Sequence, residues 1–413
     1  MLPIEEAFQR VMGRVEPLPP VDVAIDEAAG LVLAEPVTAD GDSPPFDKAL
    51  VDGFAVRSAD GASPRTMIGE ILAGQWPPGP VGPGEAIRIM TGAPMPPGAD
   101  AVVMLEKAGR LDDDRVRIDE APRPGQHRMI QGREYRSGEI LLSAGSRLGA
   151  ASIGVCASAG RLEVKAIPRP CLAIVTTGDE VVPPGTRPAP GQIRDSNGPM
   201  LRAVARSAGA EVRTGQPPAR DEPGPLRASL RRALEPGPDA PDGADMLVIS
   251  GGVSAGVRDL VPGILEELGI RPVFHKVRMK PGKPLWFGVG PDRGNRPPAL
   301  VFGLPGNPVS GLVGMLAFVL PAVRVLAAVG MADAGLPCVP ARLAGDFRHR
   351  GDRPTFHPAS GVGSDTPGLW AAPIEWAGSP DLRAVTRADG FLWFPAGDRD
   401  WKAGEILPFL PIP

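Results

Sequence analysis

Two short runs, CLAIVT from Cys171 and DMLVIS from Asp245, place apolar residues at consecutive positions with no polar alternation. A strand that is apolar on both faces has to be covered on both faces, which excludes a sheet with one side open to water. Three segments with helical spacing lie between and after these runs: GPMLRAVARSAGAEV, stopped by Gly209, then PLRASLRRALE and LVPGILEELG. Strand and helix thus alternate from Arg169 to about Val329. That order predicts a mainly parallel sheet with helices on both faces, a doubly wound α/β domain.

The flanks read differently. Within residues 1–167, short runs such as DGFAVRS, AIRIMTG and DAVVMLE are broken by Gly and Pro, and after Pro337 the runs GFLWFPAG and GEILPFLP again read as short strands. No internal repeat is present. The 413 residues point to two to four domains at roughly 150 residues each. Gly and Pro supply 53 and 52 of them, yet 43% of the chain is hydrophobic, so loops between folded pieces are expected rather than disorder.

Net charge is −4, so no basic field advertises nucleic acid or an anionic membrane, and any anion site has to be local. Ile4, Ala7, Phe8, Val11, Met12 and Val15 recur at helical spacing, and Glu5 and Glu6 stand where a secretory leader needs positive charge; an amphipathic helix of the fold is expected. GLVGMLAFVLPAVRVLAAVG from Gly311 is apolar enough for a membrane, but Pro321 and Arg324 interrupt it, and a buried helix is the expectation. Cys156, Cys171 and Cys338 are scattered and form no CxxC pair, which fits a reducing compartment, with the cytoplasm as the default.

Ligands of open α/β sheets gather outside the carboxyl ends of the strands. Three turns there stand out. TTGDEVV carries Asp179 and Glu180, SGGVSAGVRD carries Gly251, Gly252 and Asp259, and FGLPGNPVSG carries Pro305, Gly306, Asn307 and Pro308. Glycines let backbone N–H groups converge on an anion, although the Gly-Lys-Ser/Thr ending of a P-loop is missing. Each residue also has a plainer use: Asp259 as a helix cap, Glu180 as a solvated loop acid, Pro305 and Pro308 as turn formers, Asn307 as a cap. FHKVRMKPGKP adds cations, with Lys276, Arg278 and Lys280 at period two against Val277 and Met279, and Lys283 after a Pro-Gly turn. A strand here would be cationic on one side; lysines guarding an edge strand are the alternative. Four cations beside acidic glycine turns fit a phosphorylated ligand held with Mg²⁺, with Glu180 and Asp259 as metal ligands.

FDKALVDGFAV, MTGAP, TGDE, GGVSxGxxD, KPGKP and GLPGNPVSG follow one another in an order that resembles the molybdopterin molybdenumtransferase family, bacterial relatives of the gephyrin E domain. The resemblance covers essentially the whole chain. It implies a split N-terminal subdomain at 1–42 and 138–167 and a β-rich subdomain at 43–137. A molybdopterin-binding α/β domain at 168–330 and a C-terminal β-barrel-like domain at 335–413 complete the expected architecture. It further implies a homodimer, other proteins of the same biosynthesis as possible partners, and a Mg²⁺-assisted reaction. Adenylylated molybdopterin and molybdate are the substrates, molybdenum enters the dithiolene, and AMP leaves. The implied catalytic residues are Asp52, Glu180, Asp259, Lys276 and Lys280. Substrate contacts are implied for Thr91, Asp221, Gly251, Gly252, Ser254, Lys283, Pro305, Gly306, Asn307, Pro308, Ser310 and Arg353. The resemblance also implies that Asp52 and Thr91 serve a ligand held by the partner subunit.

The chain departs from the family in places. Ala49, Leu50, Val51, Asp52, Gly53, Phe54 and Ala55 replace a usual Ser-Ala-Met-Asp-Gly-Tyr-Ala, and Gly132, Arg133 and Glu134 replace Gly-Glu-Asp. Pro358 and Ala384 stand where Arg and Ser are common. Two other functions remain in view: the adenylyltransferase that makes the adenylylated intermediate, which is a single α/β domain, and a dimeric scaffold like gephyrin.

Overall fold

The two apolar runs become neighbouring parallel strands, Cys171–Thr176 and Met246–Ser250, paired in register from Leu172–Met246 to Thr176–Ser250. Leu300–Leu304 extends the parallel ladder on one side and Glu211–Val212 on the other. Trp286–Val289 and Arg271–His275 complete six strands as an antiparallel ribbon, since the loop joining them is too short to carry a crossover helix. The computed structural model describes all residues except 215–216, 239, 254–259, 331–335 and 364–366.

The sheet is buried on both faces, as consecutive apolar residues require. Ala173 and Val175 pack with Leu226 and Leu230 of helix Pro223–Leu234 and with Val261 and Leu265 of helix Val261–Glu267. Leu172 and Ile174 point the other way, into a core with Leu201 and Ala205 of helix Asn197–Ser207, Phe8 of helix Ile4–Met12, and Phe318. Phe318 belongs to the helix Pro308–Leu326, which is long and apolar enough to cross a membrane yet is 94% buried inside the protein. Pro321 cannot donate a backbone hydrogen bond, and the preceding turn, Met315–Val319, relaxes to π geometry.

The chain divides into two compact units, Met1–Asp22 with Gly30–Ala34 and Lys165–Pro413, and Val23–Ala29 with Glu35–Val164. In the first, a closed barrel of Val339–Leu343, Trp370–Pro373, Thr355–Val362, Gly390–Phe394 and Ile406–Pro411 follows the α/β layer. The barrel core is aromatic, with Phe394, Phe409 and Trp401 buried together. The second unit holds a six-stranded sheet in which Gly53–Val56 lies between Ala101–Met104 and Glu85–Ile89.

His357 of the barrel lies against Phe347 and Trp376, with ring centroids 4.9 and 5.7 Å away, and donates from Nε2 to the Ile374 carbonyl at 3.0 Å. Burial pushes its pKa down from 6.5 to about 4, and the positive fields of His349 and Lys280 act in the same direction. With the folded value below the unfolded one, the stabilisation is complete above pH 6.5 and is lost as pH falls toward about 4. Thermal unfolding followed across that window should show a flatter pH dependence in His357→Phe than in wild type, whatever the change in absolute stability; equal slopes would remove His357 as the titrating group.

Candidate functional site

Thr176, Ser250 and Leu304 end three adjacent parallel strands at the same edge of the sheet. The turns that follow them enclose a cavity of about 460 Å³, lined among others by Thr177, Glu180, Asp195, Asn197 and Asp221. Gly251, Gly252, Pro305, Gly306, Asn307 and Pro308 also line it. The sheet-edge rule and the glycine turns therefore meet in one place.

The glycines are required by close approach. Gly251 has φ +104°, and a Cβ there would sit 2.5 Å from the Thr177 carbonyl oxygen; Gly252 has φ +63°, and its Cβ would meet Val261 Cγ2 at 2.7 Å. The Gly251 N–H is spent on the Leu304 carbonyl at 3.1 Å and so serves the fold rather than a ligand. The N–H groups of Gly252, Gly306 and Asn307 are engaged by no described residue.

The carboxylates are placed by loops tied back to the sheet. The Glu180 carbonyl accepts from the Ile193 N–H at 2.7 Å, which pins the 180–182 segment beside Ile193–Arg194. Asp179, which the sequence offered beside Glu180, turns away from ligand duty and accepts the Asp221 N–H at 3.1 Å. Among the described residues, no group of three or more His, Cys, Asp or Glu side chains forms a ready metal centre. Glu180 and Asp221 nevertheless line the same cavity. Two carboxylates with room for phosphate oxygens and water suit Mg²⁺, which rarely takes an all-protein cage. Ser254 and Asp259 lie outside the described residues.

The cationic stretch is not a strand. Arg271–His275 ends before it, and Lys276 has φ +75°, which breaks the extended run. Val277 and Met279 are still fully buried and Arg278 and Lys280 exposed, so the alternation in burial arises from a loop folded over the core. Its backbone is stitched to the barrel: Lys280 N–H donates to the Pro354 carbonyl at 2.9 Å and Phe356 N–H to the Lys280 carbonyl at 2.7 Å. Arg278 donates to the Asp352 carbonyl at 3.0 Å, which brings the loop beside Arg353. Lys276, Lys280 and Lys283 do not line the cavity, although Pro284 does. Among the described residues the lysines in ion pairs are Lys48, Lys107 and Lys402, so no described carboxylate pairs with Lys276, Lys280 or Lys283.

Ser310 is buried within helix Pro308–Gly314. Asp52 and Thr91 belong to the other compact unit, where Asp52 Oδ1 accepts from the Thr91 N–H at 2.7 Å and the Thr91 hydroxyl at 2.6 Å. The hydroxyl and then the N–H of Thr91 hold the Asp52 carboxyl below the usual range, so it is presented to solvent as a fixed anion.

Asp195, Asn197 and Ser250 line the cavity and were not singled out from the sequence. Asp195 accepts from the Thr176 hydroxyl at 3.1 Å and the Gly198 N–H at 2.8 Å. The signal that could have found them is DSNGP, a cluster of capping residues at the head of a helical run. Gly251→Ala should lower stability by about 1–3 kcal/mol, because the left-handed backbone and the Thr177 carbonyl both oppose a side chain. Urea unfolding would show this as a lower midpoint at constant slope, and an unchanged midpoint would mean the turn can relax.

Residues 2–160 match the family described as MoeA N-terminal region (domain I and II), 173–325 the probable molybdopterin binding domain, and 340–412 the MoeA C-terminal region (domain IV). A molybdopterin molybdenumtransferase of Staphylococcus aureus is 32% identical over 416 residues, covering 99% of this chain and 95% of that protein. Its counterpart in Staphylococcus epidermidis is 31% identical, covering 98% and 94%. The crystal structure of a molybdopterin biosynthesis MoeA protein from Pyrococcus horikoshii is similar at a TM-score of 0.78 and 32% identity, covering 100% of this chain and 99% of that one. A second MoeA structure from the same organism has a TM-score of 0.73 at 25% identity, covering 99% of both chains. With the N-terminal, molybdopterin-binding and C-terminal regions all matched in order, and a relative at 32% identity aligned over 99% of this chain and 95% of its own, the chain belongs to the molybdopterin molybdenumtransferase family.

Proposed function

We propose that this enzyme inserts molybdenum from molybdate into adenylylated molybdopterin and releases AMP, as a step of molybdenum cofactor biosynthesis. The observation that carries the reading is one cavity lined both by two glycine turns, with backbone donors that no described residue engages, and by Glu180 and Asp221. A scaffold has no use for carboxylates gathered around unspent N–H groups, and an adenylyltransferase needs none of the flanking β-rich parts.

In this reading the N–H groups of Gly252, Gly306 and Asn307 receive the phosphate, as donors already fixed before the ligand arrives. Glu180 and Asp259 would hold Mg²⁺, which when bound neutralises phosphate oxygens and eases their cleavage. Lys276 and Lys280 offset the negative charge that builds on the leaving phosphate, and Lys283 and Arg353 attract the oxyanion substrate. Ser254 and Ser310 belong to the turns that contact substrate. Asp52, oriented by Thr91, supplies a further fixed carboxylate to the reaction. The enzyme works as a homodimer in the cytoplasm, beside the proteins that make its substrate and take its product.

AMP release from adenylylated molybdopterin, assayed with and without molybdate, tests the reaction itself; release that ignores molybdate would refute molybdenum insertion. Glu180→Gln and Asp259→Asn should each lower turnover by about 100-fold or more at limiting Mg²⁺ while leaving the circular dichroism spectrum unchanged, because the ion that orients the phosphate is lost. Near-normal rates in both would sink the metal assignment. Lys280→Met should slow turnover by about tenfold or more without loss of solubility, as expected of a charge that offsets a developing anion; unchanged activity would assign the lysine to the fold alone. Light scattering should give twice the 43.0 kDa chain mass, and a monomer mass at assay concentration would contradict the dimer.

A further inference from the structure

We infer that Asn197 is a positioning residue, whose buried amide clamps the turn at 251–252 to the turn at 305–308 and so sets the spacing of the backbone donors that receive the ligand. The inference rests on reading the cavity as the seat of adenylylated molybdopterin, and it explains how two turns distant in sequence keep one geometry.

Asn197 is the first residue of helix Asn197–Ser207 and is 8% exposed. Its Nδ2 donates to Ser250 Oγ at 2.8 Å and to the Gly306 carbonyl at 2.7 Å. Ser250, 2% exposed, precedes Gly251, and its hydroxyl donates onward to the Pro305 carbonyl at 3.4 Å. Carbonyls only accept, so the direction of this chain is fixed: both Nδ2 hydrogens are spent, and Ser250 accepts from Asn197 while donating to Pro305. A flipped amide would set Oδ1 against the Gly306 carbonyl. With both Nδ2 hydrogens consumed, the Asn197 side chain has no donor left for a ligand and acts through the turns that it holds.

Two further observations fit a clamp. A Cβ on Gly306 would lie 3.8 Å from Gly251 Cα, an ordinary van der Waals contact, so the two turns are separated by about the width of one methyl group. Asp195, bonded to the Gly198 N–H and the Thr176 hydroxyl, anchors the head of the helix to the end of a third strand. Asn197 Oδ1 is buried without a partner among the described residues, and the amide keeps this orientation despite leaving an acceptor unmade. The bonds to Ser250 and Gly306 are what the orientation secures.

The test combines kinetics with backbone hydrogen exchange on the ligand-free full-length protein. Asn197→Ala should raise KM for adenylylated molybdopterin, and Kd for AMP by calorimetry with Mg²⁺, by about tenfold, the size of one or two lost hydrogen bonds, with a smaller change in kcat. Exchange at Thr177, Gly251 and Gly311, whose N–H groups donate to the Ser250, Leu304 and Asn307 carbonyls, should quicken while the strand Cys171–Thr176 stays protected. Ser250→Ala, which removes one link only, should give a smaller effect in the same direction, and the double variant should be no worse than Asn197→Ala alone. Raised KM with unchanged exchange at the turns would mean that Asn197 touches the ligand, and unchanged values in both would mean that the clamp is dispensable; either overturns the inference. Exchange that also quickens in the strand, in Asn197→Ala and Ser250→Ala alike, overturns it in favour of a general structural role. If wild type releases no AMP from adenylylated molybdopterin, the proposed reaction fails, while the exchange comparison still decides on the clamp.

Discussion

Everything at the cavity depends on burying the strands Cys171–Thr176 and Met246–Ser250 on both faces at once. Apolar residues pointing up and down bring helices onto each side, and the helices force the chain to leave every parallel strand at the same edge. The turns at that edge inherit a problem of backbone valence, because each strand end brings N–H and C=O groups that the ladder no longer pairs. Gly251 solves part of it by donating to Leu304, and Ser250 and Asn197 solve another part through Pro305 and Gly306. At Gly252, Gly306 and Asn307 the N–H groups are engaged by no described residue.

The charges around this edge are divided between parts of the fold that obey different rules. Glu180 and Asp221 sit on segments closed by hydrogen bonds between loops, Glu180 through its carbonyl to the Ile193 N–H and Asp221 through its N–H to the Asp179 carboxylate. The lysines at 276–283 ride on a loop whose apolar members, Val277 and Met279, are fully buried. The segment that carries them is thus held by hydrophobic packing and backbone hydrogen bonds, and no ion pair to a described carboxylate holds the lysines. Asp52 reaches its geometry in the other unit by a third route, two short bonds from one threonine.

Much of this was legible in the sequence because it is local. Continuous apolar runs gave the central strands, periodicity gave the helices, and glycines marked the turns that need left-handed backbone or close approach. The 276–280 stretch misled, since alternating burial is a property of any extended segment lying on a core and not of strands alone; Lys276 at positive φ ended the strand before the pattern began. Asn197 was illegible for a different reason. Its partners lie 53 and 109 positions away, and an asparagine at a helix head is ordinary until those contacts are known. Asp179 and Glu180 are neighbours in sequence with opposite fates, decided by which way a turn points each side chain.

Lys280 is gripped through both of its backbone polar groups by residues 354–356 of the barrel. The sheet contributes nothing to those two bonds, so the location of this cation is a property of the C-terminal barrel even though the lysine belongs, by sequence, to the α/β layer. A remodelled barrel would carry the charge with it, and variation in the 352–356 loop would move Lys280 without touching the glycine turns. The neutral dipoles of the glycine turns and the positive charge at Lys280 are thus held by different parts of the fold, one by the central sheet and the other by the barrel.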